Sequence, residues 1–131
     1  MTYVLIAIGG AFGALARFTV DNSVTSLTGG TFPWGTLTIN IVGSFVIGFI
    51  GAVASPEGRM NSQSRVFATQ FLMVGVCGGY TTFSSFSLQT LNLLRDREWL
   101  YAGGNVIFSV TLCLVAVWLG WLAGSIFSSA K

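Results

Sequence analysis

Residues 78–87 read Gly-Gly-Tyr-Thr-Thr-Phe-Ser-Ser-Phe-Ser and carry five Ser/Thr hydroxyls and three aromatic rings inside an otherwise apolar run. A hydroxyl both donates and accepts hydrogen bonds, and an aromatic ring is negative on its face and positive at its edge. Phe83 and Phe86 are three apart, so they point the same way if helix resumes after Thr82. Two polar pairs elsewhere have helical spacing: Asn40 with Ser44, in a segment that also holds Thr36 and Thr38, and Asn105 with Ser109. Taken alone, each pair serves equally well as glue between helices, at about 0.6 kcal/mol per bond. Taken with the hydroxyl-rich stretch, they read as a track of neutral donors. Such a track suits a small anion or polar solute better than a cation, whose pathways are lined by carboxylates or rings of carbonyls.

The residues that are missing narrow the chemistry further. There is no histidine, and the acids Asp21, Glu57, Asp96 and Glu98 all fall at the ends of apolar runs or between them. Proton relays and cation pumps depend on such groups within the membrane. Serine and threonine are plentiful, but nothing beside them serves as a base and no metal-ligand cluster is spaced for binding, so the chain is not expected to be an enzyme. Cys77 and Cys113 lie inside apolar runs and are expected as buried thiols behaving like small hydrophobes. A net charge of +2 with no block of like charges gives no footing for nucleic acid.

These residues must be positioned by membrane helices. Charged residues make up 8% of the chain, against about a quarter in soluble domains. Ten charged side chains cannot cover a soluble protein of 131 residues, and the mean hydropathy of +0.77 agrees. The fold class expected is therefore an all-α membrane protein, with residues 1–131 forming a single domain of four transmembrane helices. The apolar runs place those helices at about 3–20, 35–54, 66–94 and 100–127. No basic residue precedes the run at Val4, so the first segment is expected as a mature helix and not a signal peptide. A Thr/Ser/Gly-rich loop follows it, and Ser55-Pro56-Glu57-Gly58-Arg59 is the turn after the second run. Gly9, Gly10 and Gly13, with Gly43, Ser44, Gly48 and Gly51, are read as packing positions where helix backbones approach closely.

The third run is too long. As one helix its 29 residues would reach roughly 43 Å, against about 30 Å of hydrocarbon. The Gly78-Gly79 pair near its middle predicts a break over 78–82 that joins two half-helices. Irregular backbone at membrane depth is tolerated only inside protein or along a wet cavity, so the break predicts a protected site near the midplane.

Orientation follows the Lys/Arg count on each side. Arg59, Arg65 and Lys131 fall on one side, and Arg17, Arg95 and Arg97 on the other. An even count gives no preference, so the chain inserts both ways and an antiparallel homodimer is expected. Residue types alone leave open a channel, a secondary transporter for a small solute, and a structural membrane subunit.

The stretches GGAFGALARF, GTLTINIVGSFVIGF and GVCGGYTTFSSFS closely resemble the signature stretches of the Fluc (CrcB) family of fluoride channels. The resemblance implies an antiparallel, dual-topology homodimer in a bacterial-type inner membrane, surrounded by lipid. Two separate pores would export fluoride passively and relieve its toxicity. It also implies a central structural sodium ion (Na+) held by the backbone carbonyls of Gly78 and Thr81 from each subunit. Phe83 and Phe86 match the family's fluoride-facing rings, Asn40 its pore asparagine, and Arg17 the arginine at the end of its first helix. Ser84 joins the pore hydroxyls, and Asn105 and Ser109 correspond to the polar positions of the fourth helix. Cys113 falls where a hydroxyl would extend that track.

Overall fold

The computed structural model describes residues 1–55 and 60–129. Residues 56–59 and 130–131 lie outside the described residues, and with them most of the expected Pro-Gly turn and the charges of Arg59 and Lys131. The helices are α1 (Thr2–Thr28), α2 (Trp34–Val53), α3 (Ser62–Phe67), a π-helical segment over Ala68–Cys77, α4 (Gly78–Tyr80), α5 (Phe83–Arg95) and α6 (Trp99–Ser129). Among the described residues there is no strand. Among the described residues, four spans are long and apolar enough to cross a membrane: Thr2–Thr28, Trp34–Val53, Ser62–Arg95 and Trp99–Ser129. This is a multi-pass, all-helical membrane protein whose third span is broken.

The first helix runs eight residues past its expected end at Val20, through the stretch read as a Thr/Ser-rich loop. The hydroxyls explain the difference. Thr19, Ser23 and Thr28 each donate to the carbonyl four residues back, on Leu15, Thr19 and Val24, at 2.8–3.0 Å. A hydroxyl bonded to the carbonyl four residues back is satisfied inside the helix, so these residues fit in α1 at only a slight cost. Gly29 ends the helix at φ +66, a left-handed conformation open to glycine, with its N–H on Thr25 C=O at 3.1 Å. Arg17 consequently lies within α1, and the even charge count made from the sequence included a residue that is no loop charge.

The spans pack as two close pairs. α1 lies along the π-helical segment and α4, and α2 lies along α6. A Cβ on Gly9 or Gly13 would run into the carbonyls of Phe71 or Val76. On Gly48 or Gly120 it would strike Val117 or Phe45 C=O. Small residues therefore set the interaxial distance in both pairs. α5 stands apart, held mainly against α6.

The break sits later than its glycines suggest. Gly78 is helical (φ −64, ψ −37), and α4 continues to Tyr80. The chain opens only at Thr81 (φ −78, ψ 157) and Thr82 (φ −151, ψ 112). Gly79 is needed for packing, since a Cβ there would press on the Gly10 backbone of α1. Threonine chemistry makes the break. Thr81 Oγ1 donates to Cys77 C=O at 2.9 Å, and Thr82 Oγ1 caps α5 by accepting Ser85 N–H at 3.1 Å.

Candidate functional site

Extended backbone in an apolar bundle needs partners for its polar groups. At Thr82 they come from α2. Asn40 Nδ2 donates to Thr82 C=O at 3.1 Å, and Thr82 N–H donates to Asn40 Oδ1 at 2.8 Å. The amide thus clamps both polar groups of one residue, and its second N–H hydrogen is left over.

Four helical bonds are given up at the break, those from the N–H groups of residues 82–85 to the carbonyls of residues 78–81. A continuous helix would send Thr82 N–H to Gly78 C=O and Ser85 N–H to Thr81 C=O. Here those donors go to Asn40 Oδ1 and Thr82 Oγ1 instead. The two carbonyls expected to hold sodium, those of Gly78 and Thr81, are among the four that lose their helical donors. Their neutral oxygens suit a hard cation, and Gly78 is exposed at the surface of the chain.

A cavity of about 380 Å³ opens on one side of the break. Asn40, Ser44, Thr81, Thr82, Phe83, Phe86, Ser109 and Cys113 line it, with Gly43, Ile47, Val110 and Leu114 between them. Its polar side chains are an amide, hydroxyls and a thiol, with no carboxylate, ammonium or guanidinium among them. The rings of Phe83 and Phe86 stand 5.2 Å apart at 45°, as the spacing predicts for helix resuming after Thr82. They differ in cover: Phe86 is 9% exposed and Phe83 78%.

A second cavity, of about 390 Å³, lies on the other side. It is lined by Ala14, Arg17, Phe18, Asp21, Thr36, Ile39, Thr82, Ser84 and Ser85. Arg17 and Asp21 are four apart and share one face of α1. The Asp21 carboxylate packs over Gly35 at the start of α2, where a helix N-terminus favours negative charge.

The expected site residues therefore separate. Asn40, Phe83, Phe86 and Ser109 meet at one cavity, while Ser84 and Arg17 meet at the other. Asn105 lines neither. It is 1% exposed, with Nδ2 on Thr90 Oγ1 at 2.9 Å and Oδ1 accepting from Ser109 Oγ at 3.4 Å. Sequence reasoning passed over Thr82 as a side chain, Thr90 and Asp21. A threonine immediately before a helical run is an N-cap signal, and it pointed to Thr82. Thr90 gives no such signal.

The family model described as CrcB-like protein, Camphor Resistance (CrcB), matches residues 4–121, from near the start of α1 into α6. The chain belongs to the CrcB family. Among its CrcB relatives, a protein of Opitutus terrae is 57% identical over 131 residues, covering 98% of this chain and 96% of that one. One of Methylocella silvestris is 51% identical over 133 residues, covering 100% and 98%. A third, of Paramagnetospirillum magneticum, is 49% identical over 128 residues and covers 98% of each. All three bear the name fluoride-specific ion channel FluC.

Proposed function

We propose that the chain is a fluoride-selective channel that exports fluoride passively across the inner membrane and so relieves fluoride toxicity. The observation that carries this reading is the cavity at the break. It joins the spare Asn40 N–H, the Ser44 and Ser109 hydroxyls and the Phe83/Phe86 pair around uncharged walls. Fluoride is small and strongly hydrated, so entry requires its water shell to be replaced by donors. Amide and hydroxyl hydrogens serve, and positive ring edges add to them. On the far side Arg17 attracts anions, with Ser84 and Ser85 as further donors. Thr82 lies between the two cavities and marks the passage. The names of the relatives at 49–57% identity support fluoride over other small anions.

The same reading assigns an antiparallel homodimer in lipid with two pores. Phe83 is 78% exposed on one chain, a poor setting for a pore ring until a second copy covers it. Gly78 and Thr81 from two copies would supply four neutral oxygens to a central sodium ion, which there neutralises carbonyl dipoles deprived of their helical donors. Gly78→Val tests this assembly. Within one chain its Cβ would approach only Met73 C=O, at 3.9 Å. The variant is expected to keep its helical content and lose the dimer; a normal dimer that conducts would refute the sodium assignment.

Fluoride efflux from liposomes holding the purified protein, followed with an ion electrode, tests the function. A potassium ionophore balances charge. Fast efflux without a driving ion is expected. Saturable efflux that needs a proton gradient would make the protein a transporter, and efflux no faster than from empty liposomes would leave a structural subunit.

A further inference from the structure

Behind the first cavity runs a hydrogen-bond chain whose direction is forced. Phe86 C=O can only accept, so the Thr90 hydroxyl donates to it, at 2.8 Å. Thr90 Oγ1 then has only lone pairs left, so the Asn105 group facing it at 2.9 Å is the NH2. The other end of that amide is a carbonyl, which again only accepts. Ser109 Oγ, one turn along α6, must therefore give its proton to Asn105 Oδ1, at 3.4 Å. A carbonyl on α5 thus settles which way a hydroxyl on α6 points. In the resting site the Ser109 proton faces away from the cavity that the residue lines.

The bonds of this chain are unequal. Those at 2.8 and 2.9 Å are ordinary, whereas 3.4 Å is long for a hydroxyl donor and correspondingly weak. An ionised acceptor outcompetes an amide carbonyl for a hydroxyl proton. We infer that Thr90 is a positioning residue for anion passage: through Asn105 it keeps the Ser109 proton parked, so that Ser109 donates to an anion only transiently. The inference rests on the fluoride-channel reading above. When the anion arrives, the hydroxyl turns about its Cβ–Oγ bond into the cavity. When the anion leaves, the unpaired carbonyl of Asn105, a residue 1% exposed, draws it back. A site that must bind and then release is served by a donor with a competing partner.

Thr90→Val keeps the shape and removes the hydroxyl. The Asn105 amide is then free to turn its NH2 toward Ser109, which leaves the Ser109 proton permanently free for the cavity. Asn105→Leu removes the acceptor outright and reaches the same state by a second route. In each variant the fluoride concentration for half-maximal efflux is expected to fall about tenfold, as for one gained hydrogen bond to a charged group, and maximal efflux to fall with it. Thr90→Ser restores the wild-type values, and Ser109→Ala combined with Thr90→Val abolishes the shift. Unchanged half-saturation in both variants overturns the inference, as does reduced efflux without the shift, failure of Thr90→Ser, or a shift that survives Ser109→Ala. Wild-type protein that carries no fluoride would instead overturn the channel reading itself, and that arm is measured first.

Discussion

Two cavities of nearly equal volume, about 380 and 390 Å³, meet at Thr82 and share only that residue. One is walled by an amide, hydroxyls, a thiol and two phenyl rings, with no acidic or basic side chain. The other holds Arg17 and Asp21 on one face of α1. The difference teaches a division of labour. A neutral site with directed donors discriminates among anions by how well it replaces their water. A charged site attracts any anion over a distance set by salt, because Coulomb forces beyond about 10 Å are screened at 0.1 M. On the proposed reading, Thr82 separates selecting from gathering.

Substitutions test that division, and the largest effect is expected at the join. Asn40→Leu removes both bonds to Thr82 and leaves a backbone N–H without its acceptor in a residue 6% exposed. It is expected to bring fluoride efflux to the level of empty liposomes and to lower stability by about 1–3 kcal/mol in denaturant titration. Efflux at half the wild-type rate or more would detach the clamp from function. Next come Phe83→Ile and Phe86→Ile, each expected to slow efflux by up to about tenfold, because an aromatic contact contributes roughly 0.5–1.5 kcal/mol and each 1.4 kcal/mol of barrier is tenfold in rate. Size-exclusion chromatography should show unchanged assembly; wild-type efflux in both would reduce the rings to packing.

Effects on the charged side should be smaller and should depend on salt. Arg17→Gln is expected to slow efflux about threefold at 10 mM ionic strength and hardly at all at 1 M, where the screening length is about 3 Å. An effect that ignored salt would show Arg17 to be a direct ligand and would blur the contrast between the cavities. Smallest is Asp21→Asn, expected to speed efflux about twofold at low salt by removing a like charge from the entrance. Slower efflux would mean that Asp21 matters for the start of α2 and not for the field.

The four spans and the broken third one were legible because apolar length and a run too long for the bilayer are strong signals. The Phe83/Phe86 spacing carried over directly once helix resumed at Phe83. What escaped was polar detail whose partner lies on another element or within the helix itself. Thr19, Ser23 and Thr28 look like loop residues until their hydroxyls are seen to bond back along α1. The Gly78-Gly79 pair looks like a breaker, yet Gly79 answers to Gly10 of α1, and the opening falls to two threonines. Asn105 looks like a lining residue from its spacing to Ser109, but its bond to Thr90 turns its NH2 away toward α5. Spacing along one helix says which residues share a face, and only the neighbouring helix decides what that face does.

The central claim is that fluoride passes down its own gradient through the neutral cavity, with no coupled ion. A planar bilayer holding the wild-type protein, with fluoride unequal and chloride equal on the two sides, tests it most directly. The account predicts a current that reverses at the fluoride equilibrium potential, shifting about 59 mV per tenfold change in fluoride. Reversal near zero, or a potential that follows an imposed pH difference, would contradict it.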